Sequence, residues 1–158
     1  MELTLDLKNM GYSLIDTSEA DLDDFIGVDI KSHSKYIVEH SNFFGEWNKD
    51  ILVNAFYCKR KLTFFKKLLL NDEVVGFLGY DQKEDKIDNV YIRIIDKAQN
   101  KGIGTLFLSY LMKLSKRLCK PVFIVAIKTN PAQNLYKRLG FEFYKEKDVF
   151  YFFRYCPR

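Results

Sequence analysis

Residues 89–127 read as a strand, a turn holding two glycines, a helix and a second strand, and that order commits the chain to a parallel crossover. Residues 89–95 are apolar and β-branched, as a strand requires. Beyond them, Ile103, Phe107, Tyr110, Leu111, Leu114 and Leu118 recur at three- and four-residue steps, which predicts one amphipathic helix. Pro121 restarts the chain, and residues 122–127 are almost continuously apolar, as in a strand buried on both faces. The turn between strand and helix is Gln99-Asn100-Lys101-Gly102-Ile103-Gly104-Thr105.

Such a turn suits an anion. The first turn of a helix has N–H groups without an intrahelical partner, and the peptide dipoles place partial positive charge there. Glycine lets a bulky anion approach those groups, so a phosphate or pyrophosphate is the natural guest. Lys101 adds a mobile cation beside it. The turn is not a P-loop, because one residue separates its glycines and Thr105, not lysine, follows the second. Nor is it the dinucleotide fingerprint, because the third glycine position is Phe107.

The remaining pattern predicts antiparallel hairpins flanking this unit, in the order β α α β β β α β α β β. A first strand covers 12–16, helices cover about 17–40 and 46–61, and strands cover 62–70, 74–80 and 87–95. A short helix at 132–139 opens on Asn130-Pro131 and closes on Gly140, and two strands at 141–144 and 149–155 follow. Residues 1–11 read as a loosely held lead-in. The expectation is a single α/β (α+β) domain over 1–158, with a mixed, mostly antiparallel twisted sheet and about four helices.

Charge and composition narrow the function. Net charge is +4, from 25 basic and 21 acidic residues, which suits an anionic ligand and does not demand a nucleic acid. No stretch resembles an RNA-recognition signature. His33 and His40 lack a zinc-helix spacing, and Cys58, Cys119 and Cys156 lie far apart, so no metal site is expected. The cysteines read as buried or incidental thiols of a reducing cytosol. With no signal-peptide core and no membrane-length run, a cytoplasmic location away from membranes is expected.

A second block, Thr129 to Phe141, has Ala132, Leu135-Tyr136 and Leu139-Gly140-Phe141 in register. Together with Gln-x-x-Gly-x-Gly at 99–104, it resembles the GNAT family of acyl-CoA N-acetyltransferases. The two signatures cover roughly residues 92–141. The resemblance implies acetyl-CoA as co-substrate and a central parallel strand pair that splays apart. It places the pantetheine arm on Ile92, Arg93 and Ile94, and the pyrophosphate on Gln99, Asn100, Lys101, Gly102, Ile103, Gly104 and Thr105. Asn130 and Asn134 would reach the pantetheine or the nucleotide. Tyr136 falls on the tyrosine that protonates the departing thiolate. Asp88, six residues before Ile94, falls at the position of the base. Asp96 stands where the family often has proline.

The implied reaction is direct attack of a primary amine, on a small molecule or peptide, in a ternary complex. The alternative is a CoA-binding or partner-binding module without turnover. Glu39 and Glu46, with the aromatics Tyr36, Phe43, Phe44 and Trp47 and the strand pair from Tyr144 to Tyr155, would suit a cationic amine. The chain is expected as a monomer or homodimer.

Overall fold

A computed structural model describes residues 2–158. Seven strands form one sheet: β1 (Tyr12–Asp16), β2 (Phe64–Leu70), β3 (Glu73–Gln82), β4 (Ile87–Ile94), β5 (Val122–Ile127), β6 (Glu142–Lys147) and β7 (Phe150–Tyr155). The order is β1-β2-β3-β4-β5-β7-β6. Every neighbouring pair is antiparallel except β4 and β5, which are parallel. The helices are α1 (Glu2–Asn9), α2 (Leu22–Ser32), α3 (Ser34–Glu39), α4 (Ser41–Phe44), α5 (Lys49–Lys59), α6 (Ile103–Leu118) and α7 (Gln133–Leu139). That is seven among the described residues, where the sequence suggested about four.

Two layers of aromatic rings hold helices to the sheet. On one face Phe25 of α2 meets Phe56 of α5, Phe65 of β2, Phe77 of β3 and Tyr91 of β4 at centroid distances of 5.3, 6.0, 5.5 and 5.8 Å. On the other, Phe107 of α6 packs on Phe64 and Tyr80 at 6.1 and 6.3 Å. Residues Val75 to Tyr80 of β3 are buried without interruption, because helices cover this strand on both sides.

One of the three extra helices, α3, comes from breaking the expected 17–40 helix, and another, α4, lies just beyond its end. Ser32 Oγ donates to the Val28 carbonyl at 2.7 Å, and Ser34 Oγ donates to the Ile30 carbonyl at 2.8 Å. Hydroxyls bonding back four residues bend a helix and compete with its ladder. His33 between them leaves helical geometry at φ −138° and ψ −29°. The break turns α3 away from α2. The further helix, α1, replaces the expected loose lead-in. Leu3 and Leu7 are buried on one face of it, and Lys113 of α6 pairs with Glu2 at 2.9 Å.

β4 and β5 share one ladder position, Ile87 with Val122, where the Ile87 N–H donates to the Pro121 carbonyl at 2.9 Å. Past it the two strands part. Asn89 has a left-handed backbone, φ +50°, and the register against β3 shifts between Gly79 and Asp81. Such a bulge twists and bends its strand. Here it carries β4 away from β5, towards residues 92–94.

Candidate active site

Strand alternation decides which backbone groups the opening exposes. The Ile95 N–H donates to the Val75 carbonyl at 2.9 Å, so residues 91, 93 and 95 pair with β3. The backbone groups of Ile92 and Ile94 therefore face the gap. Both carbonyls are capped by side chains of the same segment. Arg93 Nη1 donates to the Ile92 carbonyl at 3.0 Å, and Gln99 Nε2 donates to the Ile94 carbonyl at 2.7 Å.

The gap continues into a cleft of about 570 Å3. Its walls include Ile92 to Ile94, most of the glycine turn, Asn130 to Ala132 with Asn134 and Leu135, and Ser32, His33 and Tyr36 from the broken helix. The glycine turn is built as an open cradle. Asn100 and Gly102 have left-handed backbones, φ +58° and +86°. The first helical donor is the Leu106 N–H, bonded to the Gly102 carbonyl at 2.9 Å. The N–H groups from Asn100 to Thr105 make no backbone bond among the described residues, and alternating backbone of this kind forms an anion nest. Gly104 serves packing: a Cβ there would lie 3.1 Å from Leu135 Cδ2, so its absence lets α7 close against α6.

Of the catalytic and donor-binding residues expected from sequence, the cleft brings together all except Lys101, Tyr136 and Asp88. Lys101 is exposed beside the turn. Asn130 Oδ1 accepts the Ala132 N–H at 2.9 Å and so fixes the approach to α7. Tyr136 is buried, its ring 5.7 Å from Phe153 and 6.4 Å from Phe141. Burial pushes its phenol up to about 12, and the Arg93 charge opposes that rise. Asp88 lies outside the lining. Lys83 and Lys86, from the hairpin that precedes it, hold its carboxylate at 2.8 and 3.8 Å. Glu39 also lies outside the lining and accepts from Thr129 Oγ1 at 3.1 Å, and Glu46 is absent from it.

A polar group behind β4 has no sign in the sequence. Asp29 of α2 is 7% exposed, accepts the Tyr91 hydroxyl at 3.0 Å and lies 3.6 Å from Arg93 Nε. The guanidinium sits over the Tyr91 ring at 4.5 Å. His33 is 8% exposed, with its ring edge-on to Tyr36 at 5.5 Å. Burial, then the Arg93 charge, lowers the imidazole to about 2, so it is neutral across the physiological range. No Asp or Glu lines the cleft among the described residues.

The sign of the His33 shift makes a prediction. Its folded value lies below the ordinary 6.5, so the unfolded chain takes up the proton first as pH falls. The stabilising contribution is complete above about 6.5 and is lost progressively towards pH 2. Between about pH 7 and pH 5 the native chain should lose about 2 kcal/mol more than His33→Gln. Urea unfolding of both proteins at each pH checks this, and parallel pH profiles would show that the ring opens to solvent without cost.

Among the described residues, no group of three or more His, Cys, Asp or Glu side chains is placed to hold a metal ion, and no helix is long and apolar enough to cross a membrane. Cys58, Cys119 and Cys156 are free and all exposed, so none has the buried position allowed from sequence.

Comparison with known proteins matches residues 32–141 to the Acetyltransferase (GNAT) family. CgeE of Bacillus subtilis (strain 168), described as an uncharacterized N-acetyltransferase, is 30% identical over 79 residues, which is 49% of this chain. The match spans only 30% of that relative's length. Among solved structures, an acetyltransferase from Thermus thermophilus superposes with a TM-score of 0.70 at 16% identity, covering 92% of this chain and 96% of that one. The PaiA N-acetyltransferase from Thermoplasma acidophilum, in complex with coenzyme A, gives 0.67 at 13% identity, covering 92% and 98%. The ribosomal-protein-S18-alanine N-acetyltransferase from Escherichia coli gives 0.66 at 14% identity, covering 92% and 93%. At these identities the structures establish the shared fold, and the family match spans more than half of the sequence: the chain belongs to the GNAT acetyltransferase family.

Proposed function

We propose that this protein transfers an acetyl group from acetyl-CoA to a primary amine of a small molecule or peptide, by direct attack in a complex that holds both substrates. One observation carries the reading. The parting of β4 from β5 leaves the Ile92 and Ile94 backbone without a strand partner, in line with the N–H groups of Asn100 to Thr105 that make no backbone bond. A long ligand with an anion at one end and amides along its arm matches that sequence of groups. The coenzyme A bound by the PaiA enzyme on the same fold supports this choice of donor.

In this reading the pyrophosphate rests on the Asn100 to Thr105 amides, with Gln99 and Lys101 beside them. The pantetheine arm pairs along β4 at Ile92, Arg93 and Ile94, and Asn130 and Asn134 border it. Arg93 and Gln99 then exchange their bonds to the Ile92 and Ile94 carbonyls for bonds elsewhere. Acetyl-CoA supplies the thioester. An Ile92 or Ile94 N–H directed into the gap stabilises negative charge on the reacting carbonyl oxygen. Tyr136, which keeps its proton to about pH 12, donates it to the departing sulfur.

The amine must attack as a neutral nucleophile. A cleft lined by two arginines, Arg93 and Arg138, and no carboxylate disfavours an ammonium, so the amine loses its proton on entering. Solvent at the open cleft takes that proton and the one the nitrogen sheds after attack, and returns a proton to the Tyr136 phenolate once the thiol has left. Asp88, engaged by two lysines outside the lining, has no part in this step as we read it.

Titration calorimetry with coenzyme A, followed by thiol release from acetyl-CoA across a panel of amines, tests the proposal. Binding in the micromolar range and amine-dependent thiol release are expected. Heat without release leaves a CoA-binding module. No heat at millimolar coenzyme A overturns the donor assignment.

A further inference from the structure

We propose that the acceptor amine also carries a carboxylate, and that the Arg93 side chain receives it. The inference rests on the transfer reading above and deepens it by naming the substrate class.

Three observations lead there. First, Arg93 is under-used as a donor. Of the five N–H donors of a guanidinium group, one bonds within the protein, to the Ile92 carbonyl. Its Nε is fully buried without a hydrogen-bond partner. The nearest carboxylate, Asp29, is 3.6 Å from that atom and already accepts the Tyr91 hydroxyl. Second, the charge is compensated only in part. Asp29 faces both Arg93 and Lys59, whose ammonium lies over the same Tyr91 ring at 4.9 Å, so one carboxylate serves two cations. The Arg93 field also contributes to lowering both Lys59 and His33. Third, Arg93 lines the cleft beside neutral Ser32, His33 and Tyr36, with no acidic side chain on the wall.

This end of the cleft therefore repels a polyamine and lacks a partner for an anion. A planar carboxylate matches the fork of a guanidinium and satisfies donors that the protein leaves free. The pyrophosphate belongs six residues further along the chain, at the glycine turn, so the donor does not serve this role in the same complex. Donor binding favours the step: once the pantetheine arm takes the Ile92 carbonyl, the Arg93 Nη1 donor is released towards the acceptor.

The test compares matched acceptors at saturating acetyl-CoA: amino acids, the same amino acids as C-terminal amides, dipeptides with free and amidated C-termini, and spermidine. Rates are corrected for the fraction of neutral amine. Free carboxylates should exceed their amides by roughly 10- to 100-fold in kcat/KM. In Arg93→Gln that ratio should fall to within about threefold, and Arg93→Lys should restore part of it. The amino-acid and dipeptide arms show which source of the carboxylate is used. The amide comparison in the native protein needs no variant, so misfolding of a variant cannot mimic the result. Amides or spermidine turned over as well as the acids would overturn the proposal and leave acetyl transfer standing. Calorimetry of an amino acid into the CoA-loaded protein separates the opposite case. Arg93-dependent binding there without any turnover would support the carboxylate site and overturn the transfer reading.

Discussion

Replacing Tyr136 with Phe should lower kcat about 100-fold while the affinity for coenzyme A stays within about twofold. The substitution is unusually clean. Ring contacts with Phe141 and Phe153 persist, and the hydroxyl makes no hydrogen bond among the described residues. Its removal should therefore change stability by no more than about 0.5 kcal/mol. A rate loss would then report the missing proton and not a loosened helix. Burial holds the phenol in its protonated form to about pH 12, so Tyr136 should add no alkaline break to the native kcat profile below about pH 10. Single-turnover thiol release, with the variant saturated in both substrates, is the measurement. A variant within about threefold of the native rate would remove Tyr136 from the mechanism and give sulfur protonation to solvent.

What the sequence shows of this fold depends on how local each signal is. The crossover, its glycine turn and the hairpins are visible because period, turn residues and caps lie within a few positions of one another. Helix α1 is not, because two buried leucines on an eight-residue helix give too short a period, and such a helix is held by its contacts with α6. The break at His33 had a local sign in Ser32 and Ser34, whose hydroxyls compete with the helix ladder, but the same residues also occur on exposed helix faces. The splay of β4 depends on Asn89, one of few residue types that accept a left-handed backbone, and nothing around it separates a bulge from an ordinary strand position.

The candidate site divides in the same way. The half we propose for the donor lies in two short segments and is readable from them. The half we propose for the acceptor is backed by a bond from Tyr91 to Asp29 across 62 residues, and no pattern in either segment announces the other. Asp88 shows the converse risk. Its position matched a family role, yet Lys83 comes from five residues earlier, brought opposite by the hairpin turn. Glu39 and Glu46 suggested a cationic acceptor by composition, whereas the wall that forms contains Arg93 and a neutral His33.

Phe25→Ala should destabilise the protein by about 3–5 kcal/mol, the largest stability effect we expect from a single truncation. Phe25 is 1% exposed and touches rings from α5, β2, β3 and β4, so no one neighbour can move to fill the space. For a chain of this length the melting temperature should fall by roughly 10 °C. Phe25→Leu, which keeps most of the volume, should cost less than half as much. The consequences should reach the active site unevenly. Phe25 stacks on Tyr91, and Tyr91 ties β4 to Asp29 on the same helix, so loosening α2 disturbs the acceptor wall of Ser32, His33 and Arg93. The glycine turn is attached instead to α6 on the opposite face, through Ile103 and Phe107. KM for the amine should therefore rise more than the dissociation constant for coenzyme A. Urea unfolding with an unchanged slope, together with the two affinities measured well below the melting temperature, distinguishes these effects. A loss below about 1 kcal/mol would mean that the aromatic layer collapses around the cavity. Equal weakening of both ligands would mean that the two faces of the sheet do not act as separate supports.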